Sequence, residues 1–356
     1  MNTLEIPTLQ QTNTFAKNNK SNLYHEVSKE TLASLFSFCN QHQASDSQRL
    51  IATLLMNATN KRFHTGDVHE HIYLKNDEVP QIQLFNILIE KFPFVKYSQF
   101  ITNNAIIETM GNASEVTIID IGVGQGTQML HVIESAKTLP HLKKLHIIGI
   151  EPFADALQIA EVQINACKEN VSFEIQFTGL NAFAEEVDFS VFENTKHLIV
   201  NASLALHHIQ SASNRNEVIN SIRQLNPKAF ILIEPNVNHF EKDFSKRFMN
   251  CYHHYYNIFK VIDRLDISAK DKTGLKLFFG REIEDVIGKE EKDRFEKHEL
   301  ATTWIDRLKN NGFTLNNTIL KSPVASEAGV DIAYHEEGFL GFTNETETVL
   351  AVMYAQ

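Results

Sequence analysis

VTIIDIGVGQG, residues Val116 to Gly126, is the stretch from which the rest of the chain can be read. Val116 to Ile119 is an apolar, largely β-branched run, the composition of a strand buried on both faces of a parallel sheet. Asp120 closes it, and Gly122, Gly124 and Gly126 follow at alternate positions. Glycine lets the backbone turn sharply and lets a ligand lie against the main chain. Met129, Ile133 and Ala136 then recur at helical spacing. Strand, glycine loop and helix in that order predict the first unit of a Rossmann-type α/β layer.

The spacing narrows the reading. A dinucleotide fingerprint needs glycine where Thr127 stands. The pattern D-x-G-x-G-x-G instead resembles motif I of the class I S-adenosylmethionine (SAM) methyltransferases. In that family the loop passes under the amino-acid end of the cofactor, where no phosphate needs cradling. The resemblance implies cofactor contacts from Asp120, Gly122, Gly124, Gln125 and Gly126.

Bulk properties exclude several classes. The 356 residues, 43% of them hydrophobic, suffice for one large domain or a domain with a substantial appendage. A formal net charge of -11 argues against direct nucleic-acid binding, which depends on basic surface. Cys39, Cys167 and Cys251 are far apart and form no C-x-x-C pair, the usage of a reducing compartment. The first thirty residues are polar, and no segment approaches membrane-spanning length. The expectation is a soluble cytoplasmic protein without membrane contact, with export lacking a cleavable signal left open.

Along the chain, residues 1–22 read as a flexible N-terminal arm. Helical periodicity runs from Tyr24 to Ala58, from Ile82 to Phe92 and from Phe100 to Met110, predicting a helical cap over residues 23–112. His64, His69, Glu70 and His71 fall between these blocks at a spacing that matches no standard metal site, so no metal is expected. The core is then expected over 113–356. Leu145 to Ile150 is a second buried strand ending in Glu151-Pro152, where an acid can accept hydrogen bonds from both hydroxyls of an adenosine ribose. A third strand alternates from Val171 to Phe177, and Asn181, Ala182 and Phe183 follow where methyltransferases hold the adenine ring. Strand four is His197 to Asn201, and strand five runs from Ala229 to Ile233, closing in Glu234-Pro235. Residues 236–290 read as an inserted helical lid, with one amphipathic helix from Lys242 to Leu265 and another segment from Phe278 to Ile287. Lys292 to Asn311 predicts a further helix with Gly312 as its C-cap, and Phe313 to Leu320 with Thr348 to Tyr354 the final strand pair.

Several blocks in this order resemble the GRAS domain family over nearly the whole chain. VTIID at Val116 to Asp120 matches the family's VHIID block, and Val200-Asn201 with Leu206-His207 its middle block. PNVNHF at Pro235 to Phe240, Arg247-Phe248, Tyr255, FGREIEDVI from Phe279, DRFEKHE from Asp293, and Trp304 through Gly312-Phe313 continue the match. The family's closing Trp is absent, and the last block fits only loosely around Gly338 to Phe342. The resemblance implies a Rossmann-like class I methyltransferase core, mostly parallel in its sheet, with an α-helical cap. Plant members are regulators that act through protein partners, whereas bacterial members are thought to methylate small molecules. Because this chain keeps all three glycines and Glu151, the expectation is the bacterial kind.

The leading expectation is therefore a SAM-dependent methyltransferase with a small-molecule acceptor between core and cap. Asp120, Gly122, Gly124, Gln125, Gly126, Glu151, Pro152, Asn181, Ala182 and Asn201 would hold the cofactor. His207, His208 and Glu234, at the carboxyl ends of strands four and five, would supply acid–base catalysis, with His207 and Glu234 facing one another. Asn236, His239, Arg247 and Tyr255 would meet the substrate. The alternative is a non-catalytic GRAS-type interaction or regulatory module that retains the fold. Assembly as a homodimer is left open.

Overall fold

The computed structural model describes residues 27–63 and 81–356. The arm at 1–22, the expected helix start at Tyr24 and the His64, His69, Glu70, His71 cluster lie outside the described residues. The chain divides into two compact units, one combining residues up to Phe92 with Val237–His298, the other Pro93–Asn236 with Glu299–Gln356.

The second unit is mixed α/β around one nine-stranded sheet. β1 (Glu115–Ile121), β2 (Lys144–Ile150), β3 (Glu174–Leu180), β4 (Leu198–Ser203) and β5 (Ala229–Pro235) run parallel to one another. β6 (Ser326–Glu327), β7 (Val330–His335), β8 (Phe339–Asn344) and β9 (Glu347–Ala355) extend the sheet antiparallel, giving the order β3-β2-β1-β4-β5-β9-β8-β7-β6. The order reverses between β1 and β4, and open α/β sheets bind ligands in the crevice at such a point. Register sets Asp120 of β1 opposite Asn201 of β4. Both faces of β1, β4 and β5 are covered, which explains their apolar runs, whereas β3 at the sheet edge is half-exposed. Ile119, Val200, Phe230, Leu232, Trp304 and Met353 belong to one buried cluster.

The helix Pro93–Met110 belongs to this unit, so the expected cap over 23–112 ends at Phe92 instead. Its apolar residues lie all round the helix: Phe94, Tyr97, Ile101, Ile106 and Met110 are all buried. Thr109 fastens it to the sheet, its hydroxyl 2.8 Å from the Tyr354 hydroxyl and its carbonyl 2.8 Å from His197 Nε2. Phe313 to Leu320 is not a strand. Leu315 makes one isolated bridge to Ala355, and Asn317–Ile319 forms a short turn, in keeping with the turn chemistry of Asn316 and Asn317. The hairpin partner of β9 is β8, the segment where the family block fitted loosely.

The first unit is helical: Lys29–Gln41, Asp46–Phe63, Gln81–Lys91, Phe244–Arg264 and Ala269–Gly288. Ser28, Asp243 and Ser268 cap three of these helices by accepting the N–H three residues on. The last helix starts well before Phe278, because Ser268 pairs with Asp271 by backbone and side chain. That S-x-x-D signature stands in the sequence and went unread. A Cβ on Gly280 would lie 3.1 Å from a Leu54 methyl, so glycine lets helices Asp46–Phe63 and Ala269–Gly288 approach closely. The expected helix from Lys292 begins only at Ala301. The inserted part therefore runs on to His298, beyond the expected 290. Before that point the Asp285 carboxylate takes the N–H groups of Phe295 and Glu296 and holds the chain in an irregular course. Among the described residues no helix is long and apolar enough to cross a membrane.

Candidate functional site

The glycine loop closes on the end of β2. Gly122 and Val123 donate to the Ile150 carbonyl at 2.8 and 3.2 Å, and Gly126 donates to Val123. All three loop glycines have positive φ, at 77°, 53° and 82°. A Cβ on Gly122 would lie 2.7 Å from the Ala205 methyl, and one on Gly126 3.1 Å from the Ala160 methyl. Internal packing thus accounts for those two. A Cβ on Gly124 would meet nothing within 4 Å, so its missing side chain faces open space.

Asp120 sits behind the loop, 3% exposed, and accepts a 2.7 Å hydrogen bond from Asn201 Nδ2. Burial pushes its carboxyl up to about 7, opposed by the Asn201 bond and reinforced by the nearby charge of Glu151. Asn201 Nδ2 also reaches Gln128 Oε1 at 3.2 Å, and the Gln128 amide donates to Thr102 Oγ1 and Asn103 Oδ1. This buried chain joins β1, β4, the first core helix and the Pro93–Met110 helix. Gln128, Thr102 and Asn103 were not among the expected site residues, and nothing in the local pattern of that helix, which carries several polar residues, singled them out.

Glu151 is also buried, and its two oxygens take the N–H groups of Gly124 and Phe153, each at 3.0 Å. Burial raises its pKa, while those two bonds favour the charged form. Asn181 Nδ2 donates to the carbonyls of Glu151 and Pro152, and Ala182 donates to Leu180. The expected cofactor set therefore gathers at one edge of the sheet, with many of its polar atoms already bonded to one another. Gln125 is half-buried in the loop.

His207 and Glu234 do face one another. His207 Nδ1–H donates to Glu234 Oε2 at 2.7 Å, and Glu234 Oε1 accepts the Leu206 N–H at 2.9 Å. Leu204 takes a left-handed φ of 55°, a conformation that costs about 1–2 kcal/mol for an L side chain, and so turns the chain toward Glu234. Arg215, fully buried, donates to the carbonyls of His207 and Ile209 and, at 2.7 Å, to Glu299. Glu299 also holds Arg307, and both guanidinium groups lie against Trp304. The His208 ring lies tilted against that of His207, with centroids 4.1 Å apart. These contacts make a braced polar corner.

The expected substrate residues are engaged in their own units. Asn236 accepts from Ala301 N–H and donates to the Thr348 carbonyl, tying the end of β5 to β9 and to the last helix. In the helical unit Arg247 donates to the Glu241 carbonyl, and the Tyr255 hydroxyl donates to Glu282. His239 is fully buried beside His298, their Nδ1 atoms 3.0 Å apart.

Comparison with known proteins adds the lineage. The GRAS domain family matches residues 10–349. The DELLA protein GAI of Solanum lycopersicum is 26% identical over 296 residues, covering 76% of this chain and 50% of that protein. Scarecrow-like protein 1 of Arabidopsis thaliana is 26% identical over 292 residues, covering 76% of this chain and 49% of its own length. The chain thus spans about half the length of these curated relatives. The crystal structure of SCL7 from Oryza sativa superposes with a TM-score of 0.73 at 20% identity, covering 92% of this chain and all of that one. A DszA carbon methyltransferase structure reaches only 0.49 at 12% identity and carries no weight. These relatives overturn the expectation of a SAM-dependent methyltransferase: similarity over three quarters of the chain leads to DELLA and scarecrow-like proteins, not to enzymes. His207, His208 and Glu234 lose their expected catalytic roles with it.

Proposed function

The chain belongs to the GRAS domain family, and we propose that it is a non-catalytic regulatory module of that family, acting by binding a protein partner on a retained Rossmann-like scaffold. The observation that carries the reading is the similarity to DELLA and scarecrow-like proteins over 76% of the chain. The geometry supports it. Polar groups that an enzyme would hold ready for substrate are bonded internally: Glu234 to His207 and the Leu206 N–H, and Asn236 to two backbone groups. The DELLA and scarecrow-like names belong to longer proteins, so the partner of this chain is part of the proposal.

One observation favours an adenosyl ligand such as SAM held within the module without being consumed. The loop leaves open space at Gly124, next to Glu151. Glu151 is already bonded to the Gly124 N–H, so a ribose there competes with the closure of the loop on itself. Two experiments separate these points. Calorimetry with SAM and S-adenosylhomocysteine reads the ligand, and absence of heat at millimolar concentration removes it. Incubating the purified chain with methyl-labelled SAM and a cell extract reads catalysis. Label transferred by the wild type and lost in Gly124→Val overturns the non-catalytic reading. A purified protein partner that binds wild type and Gly124→Val equally supports it.

A further inference from the structure

The inserted segment 237–298 is closed at its two ends by a pair of histidines. The His239 N–H donates to the His298 carbonyl at 2.9 Å, and the two imidazoles meet through their Nδ1 atoms at 3.0 Å. The bonding fixes the tautomers. His298 Nε2 faces Glu296 Oε2 at 3.1 Å, so the hydrogen of His298 sits on Nε2 and its Nδ1 offers a lone pair. His239 therefore donates from Nδ1, which leaves its Nε2 as a bare lone pair. That atom is buried and has no hydrogen-bond partner among the described residues.

We propose that this imidazole pair is a proton-sensitive staple, closed while at least one ring is neutral and opened by acid. The arrangement allows no other outcome for two added protons. The first has the vacant Nε2 of His239 to go to, and the second places hydrogens on both Nδ1 atoms, where the bond between them cannot persist. The surroundings give a charged pair little support. His254 and Tyr255 face it from the Phe244–Arg264 helix, with the His254 ring 5.8 Å and the Tyr255 ring 6.0 Å from that of His239. Arg294, whose guanidinium donates to the His239 carbonyl, brings positive charge from the connecting segment. Glu296 opposes it from the same segment, and on the Ala269–Gly288 helix Glu282 is taken by Tyr255 and Asp285 by Lys289 and two backbone N–H groups. Burial, then the neighbouring His298, His254 and Arg294, hold His239 well below the ordinary imidazole range. Burial and His298 do the same for His254.

The sign follows from linkage. In the folded chain His239 stays neutral, while in the opened chain it takes up a proton below roughly pH 6.5. Closure is therefore complete above that pH and is lost as the pH falls, approaching about tenfold per pH unit well below it. The inference is independent of the proposed function.

Hydrogen exchange on the intact chain at pH 6.5 and 5.5, corrected for the intrinsic rate, tests it. Protection of the His239 amide and the flanking peptides should fall about fivefold, while β1 amides hold theirs. His239→Asn keeps a donor to His298 but cannot take a proton, so it should lack that loss. Equal losses in wild type and variant, or none in wild type, would overturn the staple. If the variant does not fold, nitrogen NMR of wild-type histidines decides: a neutral His239 with hydrogen on Nδ1 at pH 7.5 is required, and an imidazolium there refutes it.

Discussion

Replacing Asp120 by Asn should make the protein more stable, and more so in alkaline solution. Asp120 is 3% exposed, accepts a hydrogen bond from Asn201, and its carboxyl is pushed by burial from 3.8 to about 7. A folded-state pKa raised above the unfolded value means that stability is fully present below about pH 4 and is lost as the pH rises to 7. At roughly 1.4 kcal/mol per pH unit, ionisation of Asp120 costs about 2 kcal/mol at pH 5 and about 4 kcal/mol at pH 8. Asparagine has the same shape, keeps an oxygen for the Asn201 amide and carries no charge. Its gain over wild type should be about 2–3 kcal/mol larger at pH 8 than at pH 5. With about 2–4 °C of Tm per kcal/mol, differential scanning calorimetry at the two pH values resolves this. An equal change at both pH values, or a fall at pH 8, would refute the assignment of a destabilising buried charge.

The loop glycines should separate by surroundings: Gly124→Ala loses about 1 kcal/mol from its positive φ alone, while Gly122→Ala loses about 2–4 because its Cβ also meets Ala205 at 2.7 Å, measured by urea midpoints. Arg215→Met should cost about 3–5 kcal/mol in the same assay, since it strands the carbonyls of His207 and Ile209 and takes one of two cations from Glu299. Glu151→Gln should lose about 1–3 kcal/mol and expose the Gly124 or Phe153 amide to hydrogen exchange, because one backbone N–H loses its acceptor. Unchanged exchange at both amides would show that the loop does not depend on that carboxylate.

What the sequence determined by itself was the parallel half of the sheet. Strands buried on both faces must be continuous apolar runs, and a glycine loop must follow the first, so β1, β2, β4 and β5 were legible from Val116, Leu145, Leu198 and Ala229 onward. Helix Phe244–Arg264 was equally plain, because one side of it is buried and the period is unbroken. The meeting of His207 with Glu234 could be anticipated because both lie at the carboxyl ends of adjacent strands. Other features were decided only in three dimensions. Pro93–Met110 looks like a cap helix locally, yet its tertiary packing places it in the sheet unit, where it brings Thr102 and Asn103 to Gln128. Periodicity could not distinguish the Phe313–Leu320 run from the true strand Phe339–Asn344, since only pairing partners decide which segment joins the sheet edge. Nor can a motif state how its polar atoms are used. The same D-x-G-x-G-x-G and Glu151 that promise a cofactor are here bonded to each other, and that follows from the folded loop. The loop's sequence fixes which groups are available, and the tertiary structure fixes which of them are already satisfied.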